Sequence, residues 1–436
     1  EVRKHGYKLM YQPLSVVVHF EGKSNGTDTS AGIKKYQVIN SRKFADKWKE
    51  ELKQQSLTED DLFYARDRSQ GKKTILVIDH YVPQYDKDAG SKTTWQYLKM
   101  FVDRGYNVKF IGDNFYQHEP YTTQLQQMGI EVLYGAWYAN HYKQWIMDHK
   151  DEIDFAYLNR PHITVKYIDF LKSETNIKCI YYGHDLHFLR IRREYELSGD
   201  KKFLEESKEW KETELSIMRK ADMSYYPSCV EAEEIHNIDP SINVKAITAY
   251  VYDKFIDGLS VDFSKREGIL FVGGFGHPPN EDAVLWFVEE VYPLICTQQC
   301  IPFYIVGSNA MERVKKIKRD GVIMKGFVTE EELTKLYNSC KLVVVPLRYG
   351  AGVKGKVVEA LYNGTPMVST SVGIEGITGA DQIIKVADAP RQFADKVLAL
   401  YNDKGKLKQT VSDYQNYVKK NHSIDAVWNI IKDDFQ

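Results

Sequence analysis

The chain has 436 residues, too many for one ordinary hydrophobic core, so two principal domains with an appendage are expected. Its 59 Lys+Arg against 60 Asp+Glu leave a net charge of -1, which supplies no general field for a nucleic-acid backbone or an anionic membrane. No run approaches the ~18 apolar residues of a membrane-spanning helix and no signal peptide is visible. The expectation is therefore a cytoplasmic chain with at most peripheral contact at the inner membrane face, and the Glu at position 1 suggests a missing true N-terminus.

Residues 1–71 hold a turn, a candidate strand VVVHF (16–20), a Gly/Ser/Thr/Asn-rich loop (22–32), a mixed-charge helix (40–55) and a linker (57–73). From residue 72 short apolar runs alternate with amphipathic segments, the pattern of parallel sheets covered by helices. The first series of strands is expected at 74–80, 107–113, 130–135, 155–160, 177–184, 223–227 and 244–250. A second series falls at 268–274, 302–308, 321–327, 341–346, 366–370 and 382–388. Residues 252–267 lack clear periodicity and read as the link between them. The run 201–220, rich in opposite charges three or four apart, reads as a long exposed helix, and 413–420 and 423–435 as terminal helices. The five cysteines, an odd number, mostly in apolar runs, suggest a reducing compartment, and Cys296 and Cys300 lack the second Cys/His pair that a zinc site needs.

The candidate site residues cluster at expected strand ends, where open α/β sheets place their ligands. After 74–80, Gly90 lets another molecule approach the backbone, while Ser91 suits a helix N-cap or a hydrogen-bond donor. After 155–160 come Asn159, Arg160 and His162, with Arg160 either meeting an anionic acceptor group or making a structural ion pair. In YYGHDLHFLR, His184 can bond a sugar hydroxyl or phosphate, Asp185 can orient it, and His187 opens a helix. Gly273 and Gly274 leave room for a phosphate or sugar, and 325–328 can frame a nucleobase through backbone groups. Neither this loop nor the one at Gly90 carries G-x-G-x-x-G, which counts against an NAD-dependent epimerase or dehydrogenase.

The most informative stretch is 348–376, RYGAGVKGKVVEALYNGTPMVSTSVGIEG. An apolar strand ends in a loop where Gly350 and Gly352 permit sharp turns, followed by a helix from Gly355. Its N-terminal amides and dipole favour an anion, Lys354 and Lys356 add charge, and Glu359 can accept two sugar hydroxyls. A nucleoside-diphosphate sugar has both needs.

Together DAGS (88–91), GHD (183–185), FVGG (271–274), GFV (326–328) and GAGVKGKVVEALYNGTPMVST (350–370) resemble the retaining glycosyltransferases of family four. The resemblance covers residues 72–436 and implies an α/β GT-B architecture, two Rossmann-like doubly wound domains facing a cleft. It divides the chain into 1–71, an appendage; 72–251, an acceptor-side domain completed by 421–436; and 252–420, a nucleotide-sugar-binding domain. By that resemblance Glu359 holds the donor ribose, the loop with Gly350, Gly352, Val353 and Lys354 wraps the diphosphate beside Lys356, and Gly326, Phe327 and Val328 lie by the base. His184, with Asp185, faces the transferred sugar, and Gly90 and Ser91 close on the diphosphate.

The implied partners are a dTDP-, UDP- or GDP-sugar and a glycan or lipid-linked glycan, with no cofactor, no metal and no nucleic acid. Departures are Ala351, where the family's first glutamate would stand, and Gly274 and Pro279, where basic residues are usual; Lys354 or Lys356 can supply that charge instead. Residues 1–28 resemble the tail of a family two, rhamnosyltransferase-like GT-A enzyme, with His19 near its late histidine but the Asp-x-Asp half absent. The expectation is a fragment of a tandem transferase that moves a hexosyl or deoxyhexosyl group in bacterial surface polysaccharide synthesis, with dTDP-rhamnose favoured. The alternative is a non-catalytic nucleotide-sugar-binding or scaffold module.

Overall fold

The structure, a computed structural model, describes residues 1–7, 9, 15–18, 28–30, 32–53, 63–64, 71–256, 261–309, 312–350 and 352–436. It separates into two compact units, 1–71 and 72–436. In the first, helices Lys35–Lys47 and Lys49–Leu52 follow a short turn at Gly32–Lys34, starting earlier than the charge pattern suggested. The expected strand at 16–20 is corrected: Val16, Val17 and Val18 are exposed and unpaired with any described strand. Their β-branched side chains favour extended backbone, yet a strand needs a partner to satisfy its ladder. His19 and most of 22–32 and 57–70 lie outside the described residues.

The second unit contains two parallel sheets. The first comprises β1 (Thr74–Asp79), β2 (Asn107–Gly112), β3 (Glu131–Val132), β4 (Phe155–Asn159), β5 (Lys178–Tyr182), β6 (Met223–Tyr226) and β7 (Val244–Ala246), ordered β3-β2-β1-β4-β5-β6-β7. The second comprises β8 (Ile269–Val272), β9 (Phe303–Val306), β10 (Val322–Gly326), β11 (Leu342–Val345), β12 (Met367–Ser369) and β13 (Lys385–Val386), ordered β10-β9-β8-β11-β12-β13. Central strands such as β1 and β11 are buried along their whole length, which is why they read as uninterrupted apolar runs. In register, Ile75 of β1 lies between Val108 of β2 and Phe155 of β4. Strand order reverses between β1 and β4 and between β8 and β11, and each reversal opens a crevice at the carboxyl ends.

The Lys201–Lys220 helix spans the expected residues but is not wholly exposed: Ser207, Glu214, Leu215, Ile217 and Met218 are buried. Leu215, Ile217 and Met218 join Tyr181, Leu186, Phe188 and Tyr226 in a core beside the first sheet. At the other end, Lys404–His422 packs Leu407, Val411, Tyr414 and Val418 into the second core. Ser423 then caps Ile424–Ile431, and Val427, Ile431 and Phe435 enter the first core. Asp434 fixes that return, accepting from the Tyr225 hydroxyl at 2.5 Å and from Lys245 Nζ at 2.8 Å.

Candidate functional site

The carboxyl ends of both sheets face a cleft of about 650 Å³. On the first-sheet side, Asp79 at the end of β1 is buried and accepts from Arg160 Nε (2.8 Å), Thr94 Oγ1 (2.6 Å) and the His80 amide (2.7 Å). Burial alone would raise its pKa, but the Arg160 charge and these bonds outweigh burial and hold it below the ordinary carboxylate value. Arg160 is thereby tied down as an ion pair that still lines the cleft, and it lies over Gly90, where a side-chain carbon would collide with its guanidinium. Asp88, not Ser91, is the N-cap of the Ala89–Asp103 helix: its carboxylate accepts from the Ser91 amide (2.8 Å) and hydroxyl (2.6 Å).

His184 follows β5 with a positive φ of 65°, and its Nε2 lies 3.2 Å from Asn159 Oδ1. Asn159 Nδ2 donates to the Ile78 carbonyl at 3.1 Å, so Oδ1 must be the atom facing the imidazole. Burial, then the Arg160 charge, pushes the His184 pKa down to about 3, so the ring is neutral. Nε2 therefore carries the proton, and Nδ1 is left to accept. Asp185 does not orient His184, as the spacing had suggested; it accepts from Arg190 Nε at 2.9 Å and lies 3.3 Å from His187 Nδ1. Beneath this loop Glu214 takes the His187 and Phe188 amides at 3.1 and 3.0 Å, and Glu231 takes the Leu186 amide at 2.9 Å. Burial raises both carboxyls to about 8, giving the loop two protonated acids as its floor.

On the second-sheet side the Gly355–Tyr362 helix begins at the cleft with Lys354 as its N-cap residue and no capping side chain. Its first amides thus point toward any anion bound there. Gly352, at φ +70°, lies where a side chain would press on Asp185, and Gly355 is where one would collide with the Tyr250 hydroxyl. Lys356 Nζ donates to Asn280 Oδ1, lies 4.5 Å from the Phe271 ring centroid, and comes within 2.8 Å of where a Gly273 side chain would begin. Lys356 therefore lies against the β8 loop. Burial, reinforced by Lys354, pushes its pKa down to about 7, and burial pushes Lys354 down to about 8.

Twelve expected residues line the cleft: Gly90, Arg160, His184, Asp185, Gly273, Gly274, Val328, Gly352, Val353, Lys354, Lys356 and Glu359. Five do not. Ser91 is buried against Asp88; His162 packs edge-on to His80 at 5.4 Å; and the Gly350 carbonyl accepts from Arg193 at 2.7 Å. Gly326 and Phe327 stand outside the wall, Phe327 exposed with Lys87 Nζ 5.1 Å from its ring centroid. Ala351 lies outside the described residues. Sequence reasoning missed Lys92, Tyr250 and Asn280, and did not give Arg190 a role although it quoted the motif holding it. Only Lys92 carried a usable sign, one position beyond the DAGS turn.

Residues 266–403 match the family "Glycosyl transferases group 1". An uncharacterized 44.6 kDa protein in the cps region of Klebsiella pneumoniae is 24% identical over 172 residues, 37% of this chain and 44% of that protein's length. The chain thus spans less than half of that curated relative. Among solved structures, sucrose-phosphate synthase from Thermosynechococcus elongatus superposes with a TM-score of 0.63 at 14% identity, covering 84% of this chain and 98% of that one. TarM gives 0.62 at 12%, covering 84% and 99%, and Anabaena HepE in complex with UDP-glucose gives 0.57 at 15%, covering 83% and 99%. Two parallel sheets that face one cleft, with the family match on residues 266–403 of the second, give this chain the GT-B fold.

Proposed function

We propose that the chain is a retaining glycosyltransferase of family four that moves a hexosyl or deoxyhexosyl group from a nucleoside diphosphate to a glycan hydroxyl. Residues 72–251 with 421–436 form the acceptor side and 252–420 the donor side. The observation that carries this reading is the convergence of an uncapped helix N-terminus, Lys354, Lys356 and Glu359 on one wall of the cleft, opposite neutral His184. The diphosphate seats on the helix amides and both lysines, which stabilise its developing charge as it leaves. His184 Nδ1 accepts from a hydroxyl of the transferred sugar. The acceptor attacks on the face the diphosphate departs from, and a donor phosphate oxygen takes its proton.

HepE, a neighbour in fold, was solved with UDP-glucose, and a TarM variant with UDP and Fondaparinux; these support a nucleotide-sugar donor and a glycan acceptor. The relative in a cps region supports a role in surface polysaccharide assembly. The resemblance of residues 1–28 to a rhamnosyltransferase tail favours dTDP-rhamnose and a tandem arrangement. A thermal-shift panel of dTDP-, UDP- and GDP-sugars tests the reading, because a ligand of the folded state raises the melting temperature with its saturation. Glu359→Ala should abolish the shift of the best donor, and an undiminished shift would refute the ribose assignment.

A further inference from the structure

The Lys92 ammonium, on the first turn of the Ala89–Asp103 helix, reaches across the cleft to Glu359 Oε1 at 2.9 Å and to Glu330 Oε1 at 3.1 Å. All three residues line the cleft. The other oxygen of Glu359 faces the Tyr337 hydroxyl at 3.4 Å. Burial would favour a neutral lysine, but the two carboxylates outweigh it and hold Lys92 charged well above its ordinary pKa. The lysine end of the pairing therefore stays charged through the neutral range.

We infer that Lys92 sets the pentose specificity of the donor site, making it tolerant of 2′-deoxyribonucleoside diphosphates. The inference rests on Glu359 as the ribose carboxylate. A vicinal 2′,3′-diol is chelated by a carboxylate that offers one oxygen to each hydroxyl, and here one of those oxygens carries a cation from the opposite domain. Oε1 keeps a second lone pair, but the ammonium draws charge from it, which leaves Oε2, contacted only loosely by the Tyr337 hydroxyl, as the better acceptor for a 3′-hydroxyl. The 2′-hydroxyl of a ribonucleotide then adds little, so a nucleotide lacking it loses little. Sites that hold both hydroxyls on a free carboxylate would discriminate by a charged hydrogen bond, about tenfold or more in affinity.

The test is calorimetric titration of the full chain with UDP and 2′-deoxy-UDP, which differ only at that hydroxyl. The wild type should bind the two within about threefold, whereas Lys92→Met, which frees Glu359 Oε1, should prefer UDP by about tenfold. Lys92→Arg, which keeps a cross-cleft cation, should retain the wild-type ratio; Lys92→Gln replaces the Met variant if that one does not fold. A tenfold preference for UDP in the wild type, or an unchanged ratio in Lys92→Met, overturns the inference while leaving the donor site intact. Failure of the wild type to bind either nucleotide overturns the donor-site reading itself.

Discussion

If a diphosphate seats on the cleft wall as proposed, buried Lys354 and part-buried Lys356 make donor binding a proton-uptake reaction. Lys356 with a pKa of about 7 and Lys354 with one of about 8 are mostly neutral or half neutral at pH 8 in the free protein. A bound diphosphate adds opposite charge beside both and returns them toward full protonation. At pH 8 the free occupancies are about 0.1 and about 0.5, so binding takes up about 1.4 protons; at pH 6 both lysines are already charged and uptake falls to about 0.1. Affinity for UDP should accordingly drop about tenfold or more between pH 7 and pH 8.5. Titrating UDP calorimetrically at pH 8 in HEPES and in Tris measures the uptake directly, since the heats differ by the proton number times the difference in buffer ionisation enthalpy. UDP is fully ionised there, so the ligand contributes no protons of its own. Tight binding with no buffer dependence would refute the argument, because it would mean the diphosphate does not meet these ammonium groups. The sign for the ligand-free protein is opposite: the unfolded lysines titrate near 10.4, so between about pH 7 and pH 10 the unfolded state binds more protons and stability rises with pH.

Two further outcomes follow from the geometry. His184→Ala should leave UDP affinity within about twofold while lowering donor turnover about 10- to 100-fold, the loss expected when a buried hydrogen bond to the reacting sugar is removed; single-turnover kinetics separates the two effects, and parallel losses in both would show a merely structural histidine. Phe435→Ala removes a side chain 1% exposed that packs against Phe101, Tyr106 and Phe155. It should cost about 3–5 kcal/mol in the first unfolding transition, followed by urea denaturation, and a loss below about 1 kcal/mol would mean the C-terminal return is not part of that core.

The alternation of apolar runs with amphipathic segments was legible because parallel strands buried on both faces leave no polar positions to blur them. The edges were not. β3, β7 and β13 shrink to two or three residues, since an edge strand is paired on one side only and its flanking apolar residues turn into loops. The buried stripe of Lys201–Lys220 was hidden because Glu214, a charged residue by composition, is used as an internal cap for the His187 and Phe188 amides. Within the site, the glycines, Lys354, Lys356 and Glu359 could be placed from one local motif, whereas Asp185 was misread because its partner Arg190 is set by helix geometry. Lys92 stood one position beyond a readable turn, but its role could not be read for a deeper reason: its partners lie 238 and 267 residues away and meet it only when two separately folded sheets face each other.

The contacts that cross the cleft also set what opening must cost. Lys92 with Glu359, and Arg193 with Glu375 at 2.7 Å, are pairs whose side chains are mostly buried, so each opposes opening by more than an exposed surface pair would. The two places where the chain passes between sheets are bound more firmly. Tyr252 stacks on Tyr362 with centroids 3.8 Å apart, its amide donates to the His422 carbonyl at 2.8 Å, and it bridges Ser423, while Thr248 Oγ1 meets His422 Nδ1 at 2.7 Å. Burial keeps His422 at a pKa of about 4, neutral and able to serve as a constant partner there. Lys92 and Glu359 line the cleft, whereas the Tyr252, Thr248 and His422 contacts lie where both crossings run side by side. An opening that preserves both cores therefore turns about Tyr252 and Ser423 and parts Lys92 from Glu359, a pair that closure over a donor restores.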